Sequence, residues 1–428
     1  MVVQNSRLAL MIAALLIANG AAPARAQTPT DPPPMIIPGP TPVTQALSLP
    51  ASTGVTAQTM VADLEAPWGM AFLPNGDLLV TELLGKLRYV KAGARWSLEA
   101  EAITGVPAVT AAGQGGLMDV TLHPNFSRNK LIYLSVSVGD EAANHTRIVR
   151  AKLEGRALTD VQTIFEATPA KPRFQHFGSR FAWLPDQTLL FSIGDGGNPP
   201  NSLDGSFIRN QAQNLGSHLG KIIRIKDDGA SPKDNPFVNA PGARPEIYSY
   251  GHRNAQGLVR DPVSGRVYAT EHGSQGGDEL NLIQSGQNYG WPKVTYGVEY
   301  GAARTPITPN QSAPGLVDPL AVWSPAIAPS GLAVVRSSRY RGWDGDVLAA
   351  GLRLDQGRGA LIRVDVDKAG KVMGQERIDL GDVRVRNVRQ GPDGYIYILT
   401  TAMANFRNKG QRNGQLVRLV PATEAAAR

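Results

Sequence analysis

The stretch MAFLPNGDLLVTE, residues 70–82, decides the fold, because its pattern returns along the chain. Apolar residues lead to a proline with asparagine, aspartate or glycine, and alternating β-forming residues follow. Such a segment predicts a β-hairpin, in which a turn joins two antiparallel strands. The other copies occur at 119–136, 181–195, 258–273, 388–400 and, without the proline, 332–352.

Six hairpins at intervals of tens of residues indicate the radial repetition of small sheets. Further β-rich segments lie between them, such as KLRYV (86–90) and KIIRI (221–225). No stretch shows convincing amphipathic helical periodicity. We therefore expect an all-β protein, a six-bladed β-propeller with four-stranded antiparallel blades. A pair of large β-sandwiches is the alternative fold.

The beginning of the chain differs from the repeats. Arg7, an apolar run over 8–17 and Ala24-Arg25-Ala26 predict a cleavable signal peptide. The apolar run is shorter than the ~20 residues that span a bilayer. The expected organisation is a signal peptide at 1–26, a Pro-rich flexible segment at 27–52, one propeller domain at 53–421 and a tail at 422–428.

The composition excludes several functions. The chain has no cysteine, which excludes disulfides, a thiolate metal site and covalent haem attachment. An exported protein without disulfides suits a bacterial periplasm. Net charge is +7, and removing the two arginines of the signal leaves +5. The basic residues are scattered, so we expect an anionic small molecule in one cleft and no nucleic-acid partner.

Polar residues recur at the ends of the predicted hairpins, where the loops of a propeller meet around one axis. Arg384 and Arg386 stand two apart on a predicted strand and therefore share a face. Adjacent guanidinium groups, with Arg253 and Arg353 nearby, favour a ligand that carries several carboxylates. The alternative interpretation is that these arginines pair with surface acids.

One histidine and one acidic pair stand out among these polar residues. His176 precedes a hairpin and Asp195 ends it, which would bring a carboxylate to the imidazole, as a general base requires. A structural, hydrogen-bonded histidine is the alternative. Asp278 and Glu279, beside the Gly-rich backbone of 273–277, resemble an oxygen-rich cradle for Ca²⁺.

Together these motifs resemble the soluble, propeller-type pyrroloquinoline quinone (PQQ)-dependent sugar dehydrogenases, particularly the periplasmic aldose sugar dehydrogenase branch. The resemblance extends from about Ala66 to Thr400. The segments that carry it are, in order, GQGGLMDVTLHPNF, HFGSR, QAQNLGSHLGKIIRI, PEIYSYGHRNAQGL, EHGSQGGDELNLIQSGQNYGWP and RVRNVRQGPDGYIYILT.

The resemblance implies a role for each matching residue. His176 is similar to the family's general base and Asp195 to the acid that orients it, while Asp278 lies near the reacting centre. The implied quinone ligands are Gln114, Arg253, Asn254, Arg353, Arg384 and Arg386, with Tyr300 lining the cofactor pocket. The implied calcium ligands are the main-chain oxygens of Gly273 and Ser274 at the quinone, and Glu279 with the carbonyl of Tyr289 at a second, structural site.

The resemblance also implies a reaction. PQQ is a tricarboxylate o-quinone, which agrees with the arginine cluster, and Ca²⁺ with Arg253 would polarise its carbonyl. The anomeric hydroxyl of an aldose would be oxidised to a lactone by hydride transfer, with His176 as base. Because the chain has no haem attachment motif, electrons would pass to an external acceptor.

Three departures from the family pattern leave the substrate open. Arg353 stands where relatives often have lysine, Ser274 stands where many have proline, and segment 196–210 is longer than in close relatives. Broad aldose use or a non-sugar alcohol would fit. Two other functions remain as alternatives: a Ca²⁺-dependent six-bladed lactonase or esterase, and a non-catalytic binding propeller.

Overall fold

Each predicted hairpin forms the first two strands of one small sheet in the computed structural model, which describes residues 36–354, 359–402 and 410–425. Blade 1 contains Pro67–Phe72, Leu78–Glu82, Lys86–Lys91 and Ser97–Leu98. Blade 2 contains Leu117–Leu122, Leu131–Gly139, Asn144–Glu154 and Ala157–Glu166. Blade 3 contains Phe181–Trp183, Leu189–Ile193, Lys221–Ile225 and Ile247–Tyr250.

The second half of the chain continues the pattern. Blade 4 contains Ala255–Arg260, Val267–Glu271, Asp278–Ile283 and Ala321–Trp323. Blade 5 contains Pro329–Val334, Val347–Gly351, Ala360–Val366 and Val372–Asp379. Blade 6 contains Val383–Gln390, Ile396–Ala402, Gly414–Pro421 and, from the start of the domain, Val55–Leu64.

The six sheets form a closed ring, so the predicted six-bladed propeller with small antiparallel sheets is confirmed. The first strand of every blade contacts the first strands of both neighbours, which places these strands around the central axis. Strand Val55–Leu64 pairs antiparallel with Gly414–Pro421 and completes blade 6. The two ends of the domain therefore close the ring together.

The hydrophobic core is divided into layers between adjacent blades. In the second strand of blade 1, Leu78 and Val80 pack towards blade 6, whereas Leu79 packs towards blade 2. Successive side chains of a strand point to opposite faces, and here both faces are covered. This explains why such strands are continuous apolar runs.

The remaining elements are short. Two-residue strands lie at Val43–Thr44, Ser202–Leu203 and Ser206–Phe207, 3₁₀ turns at Ala46–Ser48 and Ile208–Gln213, and helical turns at Phe126–Asn129 and Ala422–Ala425. In the second predicted hairpin, Phe126–Asn129 therefore replaces a tight turn. Within the described ranges no helix has the length and apolarity needed to cross a membrane.

Residues 36–52 run along the outside of blades 4 and 5. Val43–Thr44 pairs in parallel with the last strand of blade 4, at Val322 and Trp323. The amide of Ser52 donates to the carbonyl of Arg377 in blade 5 (2.8 Å). This part of the segment expected to be flexible is thus fixed by backbone hydrogen bonds; its other part, 27–35, and the predicted signal peptide lie outside the described residues.

Candidate active site

The antiparallel hairpins determine where the site lies. The residues before the first strand and those after the second strand of a blade emerge at the same end of the sheet. In blade 3, His176 precedes the first strand and Asp195 follows the second. His176 Nδ1 lies 2.6 Å from Asp195 Oδ1, and both side chains are buried.

Three neighbours fix this pair. The Gln114 side-chain oxygen accepts a hydrogen bond from the His176 amide (2.8 Å). The indole of Trp291 donates to Asp195 Oδ2 (2.8 Å), and the Gly197 amide donates to Asp195 Oδ1 (3.0 Å). Because an ionised carboxylate only accepts hydrogen bonds, Nδ1 of His176 carries the proton. The imidazole therefore presents Nε2 as a proton acceptor.

The backbone around His176 is held in an unusual conformation. Arg173, His176 and Ser179 have φ angles of 59°, 47° and 83°, in the left-handed region that L-residues seldom adopt. A Cβ on Gly194 would lie 2.2 Å from the carbonyl oxygen of His176, so only glycine allows this close approach. Backbone strain of this kind concentrates at functional sites, where surrounding contacts maintain it.

Burial lowers the pKa of His176, and the positive charges of Arg253 and Lys171 lower it further against the opposing effect of Asp195. The imidazole is consequently neutral at pH 7. Lys171 is itself buried, donates to Asn144 Oδ1 (2.8 Å) and lies over the ring of Phe177 (3.9 Å). Burial lowers the pKa of Lys171 to about 7.

Arg253 extends the site towards blade 4. Its guanidinium donates to the carbonyl of His272 (3.0 Å) and to Asn198 Oδ1 (2.6 Å). Its Nε is buried without a hydrogen-bond partner among the described residues. The next residue, Asn254, accepts a hydrogen bond from the Gly178 amide (3.1 Å). A buried guanidinium bound only to neutral groups here has the capacity to bind an anion.

Blade 6 contributes two further arginines. Arg386 lies at a bulge between Val385 and Asn387, and it donates to Gln256 Oε1 (2.9 Å). Burial lowers its pKa, and the charges of Arg384 and Arg180 add to this effect. Burial and the charge of Arg353 lower the pKa of Arg384 to about 10. The positive charges of these arginines thus act on one another. A bound anion would offset their repulsion.

A cleft of about 370 Å³ opens beside these residues. It is lined by Gly273, Ser274, Asp278, Tyr300 and Arg353, all of which the sequence analysis predicts to be site residues. Asp278 accepts hydrogen bonds from the amides of Gly273 (2.8 Å) and Ala328 (2.7 Å). Burial raises the pKa of Asp278 to about 6.

His272 also lines this cleft and was not predicted as a site residue. Its Nε2 lies 2.6 Å from the carbonyl oxygen of Pro329 and donates to it. Burial lowers the pKa of His272 to about 3, with contributions from Arg253 and His176. His272 is therefore a neutral imidazole close to His176.

The predicted calcium ligands lie around Gly273. A Cβ at this position would lie 2.2 Å from the carbonyl oxygen of Gly276 and 2.3 Å from that of Gly277, so main-chain oxygens converge here. In blade 4, Glu279 is directly opposite Glu271. Burial and the charge of Glu271 raise the pKa of Glu279 well above its usual range.

A cavity of about 10 Å³ lies between Glu271, Glu279 and Tyr289, and it is about the size of one water molecule or ion. Carboxylates directly opposite each other in a sheet repel. A cation beside them would remove this repulsion, so the residues present fit Ca²⁺. No cluster of three or more acidic, histidine or cysteine side chains able to hold a metal occurs in the described part of the chain, so such a site depends on carbonyl oxygens.

The structure thus brings all the predicted site residues to one mouth of the propeller. They form a hydrogen-bonded group around His176 and an adjoining group that lines the cleft beside Gly273 and Arg353. Gln114, His176, Asp195, Arg253 and Asn254 are joined by the hydrogen bonds between blades 2, 3 and 4. The roles given to them remain predictions. Sequence reasoning assigned no role to Trp291, although it lies in the motif GQNYGWP.

Comparisons with known proteins show which family the chain resembles. The sequence model described as "Glucose / Sorbosone dehydrogenase" matches residues 64–414, a range that includes every predicted site residue. An uncharacterised protein of Synechocystis is 53% identical over 85% of this chain and 86% of its own length. Aldose sugar dehydrogenase YliI of Escherichia coli is 35% identical over 87% of this chain and 94% of its own length.

Solved structures of aldose sugar dehydrogenases also match this chain. The apo-form crystal structure of the Escherichia coli aldose sugar dehydrogenase matches with a TM-score of 0.75, covering 86% of this chain and 99% of that one. The PQQ-bound aldose sugar dehydrogenase of Streptomyces coelicolor is 29% identical, with a TM-score of 0.65 over 87% of this chain and 99% of its own.

Fold and site together define a propeller enzyme of the sugar dehydrogenase class, and the predictions of this class and of an enzyme are confirmed. The chain belongs to the glucose/sorbosone dehydrogenase family.

Proposed function

We propose that this enzyme is a PQQ-dependent aldose dehydrogenase, which oxidises the anomeric hydroxyl of a sugar to a lactone with His176 as general base. The observation that carries the proposal is the group of guanidinium ions next to the His176–Asp195 pair. Within the described ranges, Arg253, Arg353 and Arg386 have no carboxylate in ion-pair contact. A small polyanion at this position would supply the missing negative charge.

PQQ, when bound, would supply a quinone that accepts a hydride and carboxylates that the arginines bind. The chain's own residues would orient the sugar and move its proton. His176 Nε2 accepts the hydroxyl proton, because Nδ1 is committed to Asp195. The negative charge of Asp195 then stabilises the imidazolium that forms. Arg253, buried beside this pair, would stabilise negative charge that develops on a bound oxygen.

Calcium would be held by the converging carbonyl oxygens at Gly273 and Ser274 and, at a second position, by Glu279 and the carbonyl of Tyr289. Export to the periplasm and an external electron acceptor complete the proposal. The predicted signal peptide at 1–26 supports export, and N-terminal sequencing of the mature protein tests it.

A reconstitution experiment tests the function. Purified protein freed of quinone and metal receives PQQ, Ca²⁺, an aldose and an artificial dye acceptor, singly and together. Dye reduction that requires both PQQ and Ca²⁺ supports the proposal. Lactone hydrolysis without quinone would instead support the lactonase alternative, and the absence of both activities would support a non-catalytic binding propeller.

Replacing Trp291 by phenylalanine should change the pH dependence of this reaction. The substitution keeps an aromatic ring but removes the N–H that donates to Asp195. A hydrogen bond to a charged group contributes about 1.5–3 kcal/mol, so turnover should fall about tenfold or more. Asp195 would then attract the proton of His176 more strongly, and the acidic limb of kcat/KM should move to higher pH.

Trp183→Phe is the matched control, because the indole of Trp183 donates to the neutral hydroxyl of Thr121 (3.1 Å) far from Asp195. It should leave the pH profile unchanged. An unshifted acidic limb in the Trp291 variant, together with ordinary turnover, would show that Trp291 does not position Asp195.

Calcium should raise the thermal stability of the protein, and Glu279→Gln should remove the part of this effect that belongs to the second site. A ligand at a hundredfold excess over its Kd stabilises the folded state by about 2.7 kcal/mol. Without calcium, the same variant should be at least as stable as the wild type, because burial and Glu271 disfavour a charge at this position and glutamine carries none.

The measurement is the melting temperature with Ca²⁺ and with a chelator. Glu376→Gln serves as control. Glu376 lies on the outer strand of blade 5, where it pairs with Arg363, and it is not a predicted calcium ligand. An unaltered calcium response in the Glu279 variant would contradict the assignment of this ligand.

A further inference from the structure

The cleft has one wall that the family match does not include. Ala46 and Leu47, in the 3₁₀ turn Ala46–Ser48, line the cleft together with Asp278, Arg353 and Tyr300. The family model begins at residue 64. This wall therefore lies outside the matched range, and the predicted cleavage site before Gln27 would leave it in the mature protein.

The wall is held firmly on both sides of the turn. Before it, the amide of Ser324 donates to the carbonyl of Thr44 (3.0 Å), and Gln375 donates to the Thr44 hydroxyl (3.3 Å). After it, the amide of Arg377 donates to the carbonyl of Pro50 (2.9 Å). These contacts join the segment to blades 4 and 5 at separate points, so the turn cannot move away from the cleft without breaking them.

The two residues of the turn have different surroundings. Ala46 is 2% exposed and packs with Trp323 and Ile327 in the core between blades 4 and 5. Leu47 is 42% exposed although it is a large apolar residue. Ala46 thus anchors the turn, and Leu47 presents an aliphatic side chain to the cleft beside the residues that are predicted to hold the quinone.

We propose that residues 43–52 form a fixed wall of the substrate cleft and that Leu47 limits the size of the saccharide that the enzyme accepts. The inference rests on the proposed function and extends it to substrate selection. The C–H face of a sugar ring is apolar, so a monosaccharide can pack against Leu47. A second sugar unit attached on that side would collide with it.

The test compares a monosaccharide with a disaccharide, glucose with maltose, as substrates of the enzyme reconstituted with PQQ and Ca²⁺. Leu47→Ala should raise the kcat/KM ratio of maltose to glucose by about tenfold, the low end of what a single hydrophobic contact contributes to discrimination. Leu47→Trp should lower this ratio. Both substitutions are at an exposed side chain and should leave the melting temperature unchanged.

Val263→Ala is the matched control. Val263 is an exposed aliphatic residue in the turn between the first two strands of blade 4, at the opposite end of the propeller from the cleft. It should leave the ratio unchanged.

If the wild type is active and both Leu47 variants keep its maltose-to-glucose ratio of kcat/KM, this inference is overturned and the proposed function is not. The same holds if the variants change kcat/KM equally for the two sugars. A wild type that oxidises no aldose would overturn the proposed function and this inference with it.

Discussion

Replacing His176 by asparagine is expected to slow sugar oxidation by about 10² or more and to leave quinone binding nearly intact. The variant loses the nitrogen that accepts the substrate proton. Asparagine is the suitable replacement because the φ angle of His176 is 47°, and asparagine tolerates this region better than alanine does. Turnover is measured by dye reduction and quinone affinity by equilibrium titration.

His123→Asn is the control, since His123 is a buried histidine at the opposite end of blade 2, where it accepts a hydrogen bond from the Asn125 amide (2.9 Å). Its activity should equal that of the wild type. Equal activity in the His176 variant would remove this residue from the mechanism.

The same histidine predicts the pH dependence of the wild type. A general base must be neutral, and burial lowers the pKa of His176 below its ordinary value of 6.5. Activity should therefore be full at neutral pH and fall as the pH drops through this lowered pKa. The acidic limb should disappear from the residual activity of the asparagine variant.

Arg386→Met should weaken quinone binding by about 10- to 100-fold, the equivalent of about 1.5–3 kcal/mol for a hydrogen bond to a charged group. The same change should not lower the melting temperature of the quinone-free protein. In that state Arg386 is a buried cation next to Arg384 and Arg180, and burial and repulsion both act against its charge. A loss of quinone affinity without a loss of stability would indicate that Arg386 serves ligand binding and does not stabilise the fold.

Arg180→Met provides the contrast. Arg180 is fully buried and pairs with Asp119 (3.1 Å). Its removal would leave Asp119 with only the more distant Arg389 (3.6 Å) and should destabilise the protein by up to about 3–5 kcal/mol. Unchanged quinone affinity in the Arg386 variant, measured by titration, would contradict the view that these arginines bind the cofactor.

Much of the fold could be predicted because each blade repeats one local pattern. In 70–82 the turn residues and the flanking β-formers lie next to each other in the sequence, so the hairpin is visible without tertiary information. The site could be located for a related reason, since antiparallel pairing brings the two ends of a hairpin to one mouth. His176 and Asp195 are 19 residues apart, yet their relation follows from the strands between them.

The features that were missed depend on contacts between distant segments. Trp291 reaches Asp195 from 96 residues away, and nothing in a local pattern indicates which carboxylate its indole will meet. Residues 36–52 have the composition of a flexible segment, but they form hydrogen bonds with residues more than 250 positions further along, and Val43–Thr44 pairs with a strand there. Pairing with an existing sheet edge stabilises a segment whose own sequence has weak structural preference.

The pairing of Val55–Leu64 with Gly414–Pro421 has a consequence for biosynthesis. Partners in this ladder are separated by as many as 366 residues, as Val55 and Pro421 are. During translation, the first strand of the ring cannot form its backbone hydrogen bonds until the last strand has been synthesised. Blades 1 to 5 can assemble progressively, whereas completion of the circle is a late, non-local step that makes folding slow.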